Sequence, residues 1–499
     1  MTRRTFLAAS AAAAQRPAHA LPQRAGANRP PNVLLLMSDQ HRRDAIRAAG
    51  SSVARTPNLD SLAAGGTRFD SAYCANPVCV PSRASLLTGL YTHRHGAFNN
   101  GIPWPLEHRT IAHYFGRAGY ATGLIGKMHF VDAQTHGFDY HLDFNDWFQL
   151  LGPKTRLYAD ELGQPNSGSG QPQIDDVQRD LGDPWKGERE ADGREGSVAV
   201  GRVSRIPEEY QFESFVSRES VRFLNRFGKQ QPFFLIASFL KPHDPFMPVE
   251  RFARMFRPED MRLPDTWGKV DPATAPAEVR RLLERNGPTP ELRSADAARR
   301  RIALYYASLA QMDEELGKIL AALRSLELDR NTIVLYTSDH GEMLGDLGLW
   351  QKFQFYEGSC GVPLLVRAPG VTQPGAVCRQ PLSQVQILPT LAELCGVSVP
   401  SDLDGKSFAA QLRSPATVND APVYSEYALR SRGAKYMIRR GNLKYTFRTH
   451  DRAELFDLRS DPAEMHNLAL DKSAAARAEE LKNELFAWYR PPELDLSGG

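Results

Sequence analysis

Short apolar runs separated by amphipathic stretches fill the first 400 residues. Asn32-Val-Leu-Leu-Leu-Met-Ser38 is a continuous apolar run bounded by polar residues, the pattern of a strand buried on both faces of a parallel sheet. Similar runs recur at 121–125, 233–239, 333–337 and 364–366. Between them, helical periodicity predicts helices over 58–64, 85–91, 110–118, 212–227 and 297–323. Strands alternating with helices imply βαβ units, so the fold class is α/β, with a large mostly parallel sheet flanked by helices. Residues 152–208 are rich in Gly, Asp, Arg and Pro and lack periodicity, which predicts a loop insertion. From about residue 400 the pattern becomes alternating, at 423–427, 435–439 and 443–447, with a closing helix at 474–489. This predicts a main domain over 28–399 and a small C-terminal α+β subdomain over 400–499.

The 499 residues are 42% hydrophobic and 24% charged, which excludes disordered, collagen-like and coiled-coil classes. No apolar run in the body of the chain approaches the ~20 residues of a membrane span, so no stable membrane insertion is expected. The first residues change the charge picture. Arg3-Arg4 precede Phe6-Leu7, an alanine run and Ala18-His19-Ala20, a pattern resembling a twin-arginine export signal over 1–20. Such a signal implies the twin-arginine translocase as a partner and a periplasmic or secreted location. Cleavage after Ala20 removes three arginines and no acid, taking the formal +3 to neutrality. Net charge then gives no support to a nucleic-acid partner. The five cysteines form no CxxC pair, so neither a disulfide scaffold nor a structural zinc site is expected.

In parallel sheets the site lies beyond the carboxyl ends of the strands. The first run ends in Ser38-Asp39-Gln40-His41 and the fourth in Ser338-Asp339-His340-Gly341-Glu342. Two strand-end aspartates with an imidazole suit a divalent cation. A third constellation is Cys79-Val-Pro-Ser-Arg83-Ala-Ser-Leu-Leu-Thr-Gly89. Pro81 just inside a helix start places Cys79 at a helix N-terminus, where backbone N–H groups favour an anion, and Arg83 adds positive charge one turn on. Lys127 and His129 directly follow a buried strand, and His243 stands between two prolines after another. His93 and His95 read as structural or as supports behind the residues that act.

Cys-x-Pro-Ser-Arg with Ala-Ser-Leu-Leu-Thr-Gly closely resembles the signature of the formylglycine-dependent sulfatases of the alkaline phosphatase superfamily. Further segments resemble that family in order: Thr56-Pro-Asn-Leu-Asp60, Gly126-Lys-Met-His-Phe130, Pro242-His-Asp-Pro-Phe246, Thr337 to Gly345 with Lys352, and Glu454-Leu-Phe-Asp-Leu458. The resemblance implies an alkaline-phosphatase-like sandwich and hydrolysis of a sulfate ester, RO–SO3⁻ to ROH and sulfate, with a sulfated small molecule or saccharide as substrate. It also implies that a formylglycine-generating enzyme oxidises Cys79 to formylglycine (3-oxoalanine), whose hydrate is the nucleophile. Asp39, Gln40, Asp339, His340 and the modified Cys79 would hold one divalent ion, Ca2+ or, given the imidazole and the amide, Mn2+. Arg83 and Lys127 would neutralise developing charge and His129 would be the base. His243 and Lys352 would grip the sulfate, and one of them would protonate the leaving alcohol. The Asp-Gln and Asp-His pairs resemble choline sulfatases and phosphonate monoester hydrolases. A phosphodiester or phosphonate monoester hydrolase, or a non-catalytic sulfatase-like binding protein, therefore stays open at this stage.

Overall fold

The computed structural model describes residues 29–102, 104–105, 107–130, 134–156, 201–285, 294–418 and 420–492. The predicted export signal, and positions 157–200 of the predicted insertion, lie outside the described residues.

The strands in chain order are β1 (Asn32–Ser38), β2 (Thr67–Tyr73), β3 (Ala121–Gly126), β4 (Tyr140–Leu142), β5 (Phe233–Ser238), β6 (Thr332–Ser338), β7 (Gly361–Arg367), β8 (Ala376–Cys378) and β9 (Leu382–Ser383). They form one nine-stranded sheet in the order β4-β3-β5-β1-β6-β7-β2-β8, with β9 beside β2. Pairing is parallel except along β7, which runs antiparallel to both β6 and β2. The sheet is therefore mostly parallel, as the apolar runs require. β1, β3, β5 and β6 are buried along their whole length because each lies inside the sheet with both faces covered.

The helices that matter for the site are α1 (Pro57–Ala64), α2 (Cys79–Thr88), α3 (Ile111–Arg117), α4 (Phe212–Phe227), α5 (Ala295–Ser325) and α6 (Ile387–Cys395). One hydrophobic core unites α4 and α5 with one face of the sheet, through Phe223, Leu235, Ile302 and Leu316. A second unites α2, α3 and α6 with the other, through Leu86, Phe115, Leu335 and Leu391. The helix expected over 85–91 starts at Cys79 and stops at Gly89, whose left-handed φ of 71° ends it.

A second, four-stranded antiparallel sheet joins β10 (Val423–Tyr427), β11 (Lys435–Arg440), β12 (Leu443–Arg448) and β13 (Glu454–Asp457). Helix α7 (Ala475–Trp488) covers it through Leu481 and Leu485. No helix among the described residues is long and apolar enough to cross a membrane.

Candidate active site

Strand register brings the two aspartates together. β1 and β6 pair in parallel with Ser38 opposite Ser338, so Asp39 and Asp339 leave the sheet side by side at its carboxyl end. Arg83, from the first turns of α2 and fully buried, binds both: its Nη2 lies 2.8 Å from each Oδ2, and its Nε donates to Asp339 Oδ2 at 2.9 Å. Its Nη1 donates to the Lys127 carbonyl at 2.5 Å and to Ser238 Oγ at 3.0 Å. One guanidinium thus ties together the ends of β1, β3, β5 and β6.

Lys127 reaches the same place from β3. At Gly126, with φ of 104°, a Cβ would stand 1.9 Å from the Ser238 carbonyl oxygen, so glycine alone lets the strand turn there. Lys127 Nζ then lies 2.6 Å from Asp39 Oδ2 and 3.8 Å from Cys79 Sγ.

The fully buried Cys79 sulfur is the focus of the site. It lies 3.3 Å from His340 Nε2, 3.3 Å from Lys352 Nζ and 4.0 Å from Asp39 Oδ1. Asn100 caps this helix start, its Oδ1 accepting from Val80 N at 3.1 Å. Burial opposes a charge on the thiol, but Lys127, Lys352 and His340 outweigh it and hold Cys79 well below its ordinary pKa. Burial and Cys79 would raise Asp39, yet Lys127, His243 and Arg83 hold it below the usual carboxylate range. Asp339 is pushed up, by burial first and by Asp39 beside it, against the pull of Arg83.

Four groups could hold a cation. One ligand atom each of Asp39, Cys79, Asp339 and His340 lie within 4.8 Å of one another, all buried. The donor set fits: the Oδ2 atoms are taken by Arg83, while both Oδ1 atoms face His340 Nε2 at 3.8 and 3.7 Å. The other ring nitrogen of His340 is 2.9 Å from the Gly341 carbonyl, which turns Nε2 toward the two Oδ1 atoms and Cys79 Sγ.

His243 and Lys352 meet at 2.9 Å (Nε2 to Nζ), with His243 Nδ1 donating to the Asp244 carbonyl at 2.5 Å. Lys352 Nζ also donates to Gln40 Oε1 at 3.2 Å. His129 is buried, and its side chain also faces Cys79, where it adds to the pull that lowers the thiol. Gln40 and His129 both hold left-handed backbones, φ 63° and 64°, a conformation that costs roughly 1–3 kcal/mol and clusters at functional sites.

Of the ten residues singled out from the sequence, nine stand at or within a few residues of these strand and helix ends, and Lys352 comes from the loop that follows β6. Sequence reasoning passed over Asp244, Glu342, Gln351 and Gln384. Asp244 and Glu342 stood inside recognised segments, but their task depends on contacts with Gln40 that no local pattern reveals. Gln384 accepts from Ser82 Oγ at 2.8 Å and donates to the Ser338 carbonyl, joining α2 to β6. Two segments carry scaffold instead of chemistry. In Thr56–Asp60, Asp313 of α5 accepts from Asn58 N and Leu59 N at 3.0 and 2.9 Å. His95 bonds Ser85 at 3.0 Å and His93 bonds Glu426 at 2.7 Å, so both hold elements together, as expected.

Comparison with known proteins gives consistent matches. The sulfatase family profile matches residues 31–397, and a profile described as N-sulphoglucosamine sulphohydrolase, C-terminal, matches 345–490. The chain is 31% identical over 451 residues to a choline-sulfatase of Rhizobium meliloti, covering 88% of this chain and 82% of that protein. It is 30% identical over 472 residues to an arylsulfatase of Clostridium perfringens, covering 91% and 94%. Among solved structures, the phosphonate monoester hydrolase of Agrobacterium radiobacter superposes with a TM-score of 0.73 at 24% identity, over 92% of this chain and 95% of that one.

Proposed function

The chain belongs to the sulfatase family and hydrolyses sulfate esters, and on that premise we propose that its nucleophile is formylglycine made from Cys79 and held in a one-metal site. The observation that carries this reading is the Cys79 sulfur at the N-terminus of α2, in reach of Lys127, His340 and Lys352 together. A thiol needed only for packing would not be ringed by three nitrogen bases and cations.

Asp39, Asp339 and His340 would hold the cation, with Gln40 contributing a neutral oxygen; when bound, the cation would lower the pKa of the hydrated aldehyde and draw charge from a sulfate oxygen. The mixed oxygen and nitrogen donors suit Ca2+ and Mn2+ alike. The aldehyde hydrate supplies one hydroxyl to attack sulfur and a second whose deprotonation releases sulfate. Arg83 directs its donors to Asp39, Asp339 and Lys127, so it sets the geometry of the acceptors. Lys127, 2.6 Å from Asp39, supplies positive charge beside the nucleophile. Lys352 and His243 form the opposite wall, where a sulfate oxygen and the leaving alcohol would sit. Their 2.9 Å contact lets a proton pass between Nζ and Nε2 to the departing oxygen. His129, buried beside Cys79, would take the proton of the second hydroxyl.

The substrate class is a sulfated saccharide or small sulfated alcohol. We also propose a formylglycine-generating enzyme as partner, and export through the twin-arginine translocase to the periplasm or beyond.

Mass spectrometry of the tryptic peptide Phe69–Arg83, from protein made in its own host, tests the nucleophile. The aldehyde or its hydrate at Cys79 is the expected result. A plain thiol in folded protein would remove the nucleophile and favour a non-catalytic binding role. Assaying sulfate and phosphonate esters on one preparation then separates the sulfatase from a phosphonate monoester hydrolase.

A further inference from the structure

We infer that Asp244 and Glu342 are positioning residues that fix which way round the Gln40 amide sits, and so deliver its oxygen to the Lys352 side of the site. The inference rests on the reading of Asp39, Asp339 and His340 as a metal centre.

Gln40 Nε2 lies 2.8 Å from Asp244 Oδ1 and 2.5 Å from Glu342 Oε2. Both carboxylates act as acceptors elsewhere as well. Glu342 Oε1 takes the backbone N–H groups of Leu344 and Gln351 at 3.0 and 2.6 Å, and Asp244 Oδ2 takes Gln351 Nε2 at 2.8 Å. A carbonyl turned toward them would bring three acceptors together with no proton between, whereas an NH2 group has two N–H bonds for two oxygens. The opposite end of the amide is then the oxygen, and it stands 3.2 Å from Lys352 Nζ, itself 3.3 Å from Cys79 Sγ.

The two carboxylates also dictate residue type. A carboxylate at position 40 would set a third acceptor against two others in a fully buried place. The neutral amide beside Asp39 is thus required by Asp244 and Glu342, which touch neither the sulfur nor the paired aspartates in the contacts described above. They act through Gln40.

The test exchanges donor for acceptor. Glu342→Gln keeps an oxygen for the two backbone N–H groups, so its new NH2 would face the NH2 of Gln40 and turn that amide over. In enzyme from its own host, kcat should fall by at least about tenfold, and calorimetric titration of the metal-stripped protein with Ca2+ or Mn2+ should show affinity weakened by a similar factor. Adding Gln40→Glu restores an acceptor opposite the introduced donor, and Asp244→Asn turns its other neighbour into a donor as well, so the triple variant should recover most of the lost kcat. A purely structural role would predict the losses to add. The inference is overturned if Glu342→Gln stays within about twofold of wild type, or if the triple variant is no better than the single one. Should Glu342→Gln fail to fold, as read by thermal melting, Asp244→Asn poses the same question as the single variant, with the same triple variant as its recovery. If wild-type protein takes up neither cation, the metal reading fails, while the recovery of kcat still decides the positioning role.

Discussion

Two clusters of buried charge can be set side by side. In the C-terminal cluster every group is answered: Lys435 Nζ bonds Glu278 at 2.8 Å and Gln354 at 3.0 Å, Arg448 bonds Glu278 at 2.6 Å and Glu454 at 2.7 Å, and Tyr356 Oη donates to Glu454 at 2.5 Å. Glu278 comes from the 277–285 helix and Gln354 from the loop beyond Lys352, so the cluster fastens the second sheet to the segment that carries Lys352. In the cluster at the strand ends the groups converge instead. Arg83 binds Oδ2 of both aspartates and Lys127 that of Asp39, the backbone N–H groups of Gln40 and His340 reach Asp339 Oδ1, and one ligand atom each of Asp39, Asp339, His340 and Cys79 lie within 4.8 Å of one another. Burial of charge alone therefore says little about chemistry. What marks a site is a set of lone pairs aimed at one point and kept there by groups that are themselves fully bonded.

Substitutions should separate the two clusters cleanly. Cys79→Ala should lower kcat by at least about 10⁴-fold with an unchanged melting temperature, since it removes the attacking group and leaves the ion pairs intact; activity near wild type would refute the proposed mechanism. Arg83→Met should cost about 3–5 kcal/mol in denaturant unfolding and abolish cation uptake, because it strands two buried carboxylates. Arg448→Met should cost about 3 kcal/mol for the same reason, yet leave kcat per folded molecule within about twofold. Chelation should destabilise wild type by about 2–3 kcal/mol relative to protein at a hundredfold excess of cation over Kd, and the difference should vanish in Asp339→Ala. The smallest effect is a pH dependence. Burial first, and Arg448 beside it, lower Lys435 from 10.5 to about 7. The unfolded chain keeps that proton up to the higher value, so this group makes stability rise with pH between the two, by at most about 1.4 kcal/mol per unit. Urea titrations of wild type and Lys435→Met across that window should show the flatter profile in the variant.

Legibility in the sequence followed the source of each signal. Strands β1, β3, β5 and β6 were plain because burial on both faces demands an unbroken apolar run. β2 was missed: Arg68 and Asp70 interrupt its apolar positions, and a bulge lies between Phe69 and Ala72. α6 was missed because Pro389 reads as a breaker, although it falls in the first turn, where proline is tolerated. At the site, residues standing directly after a strand or at a helix start were readable from their place in the chain. Asp244 and Glu342 were not, because their role is defined by a side chain two hundred and three hundred residues earlier.

The Ser38–Ser338 register has a consequence in time. Asp39 and Asp339 are three hundred residues apart, so at cellular elongation rates the first aspartate waits roughly 15–60 s on the growing chain for the second. Throughout that interval neither His340 nor Lys352 exists to close over Cys79. Once they arrive, its sulfur has no exposed surface left. That side chain is open to other molecules during synthesis and enclosed afterwards, and the length of chain between Cys79 and His340 sets how long the opening lasts.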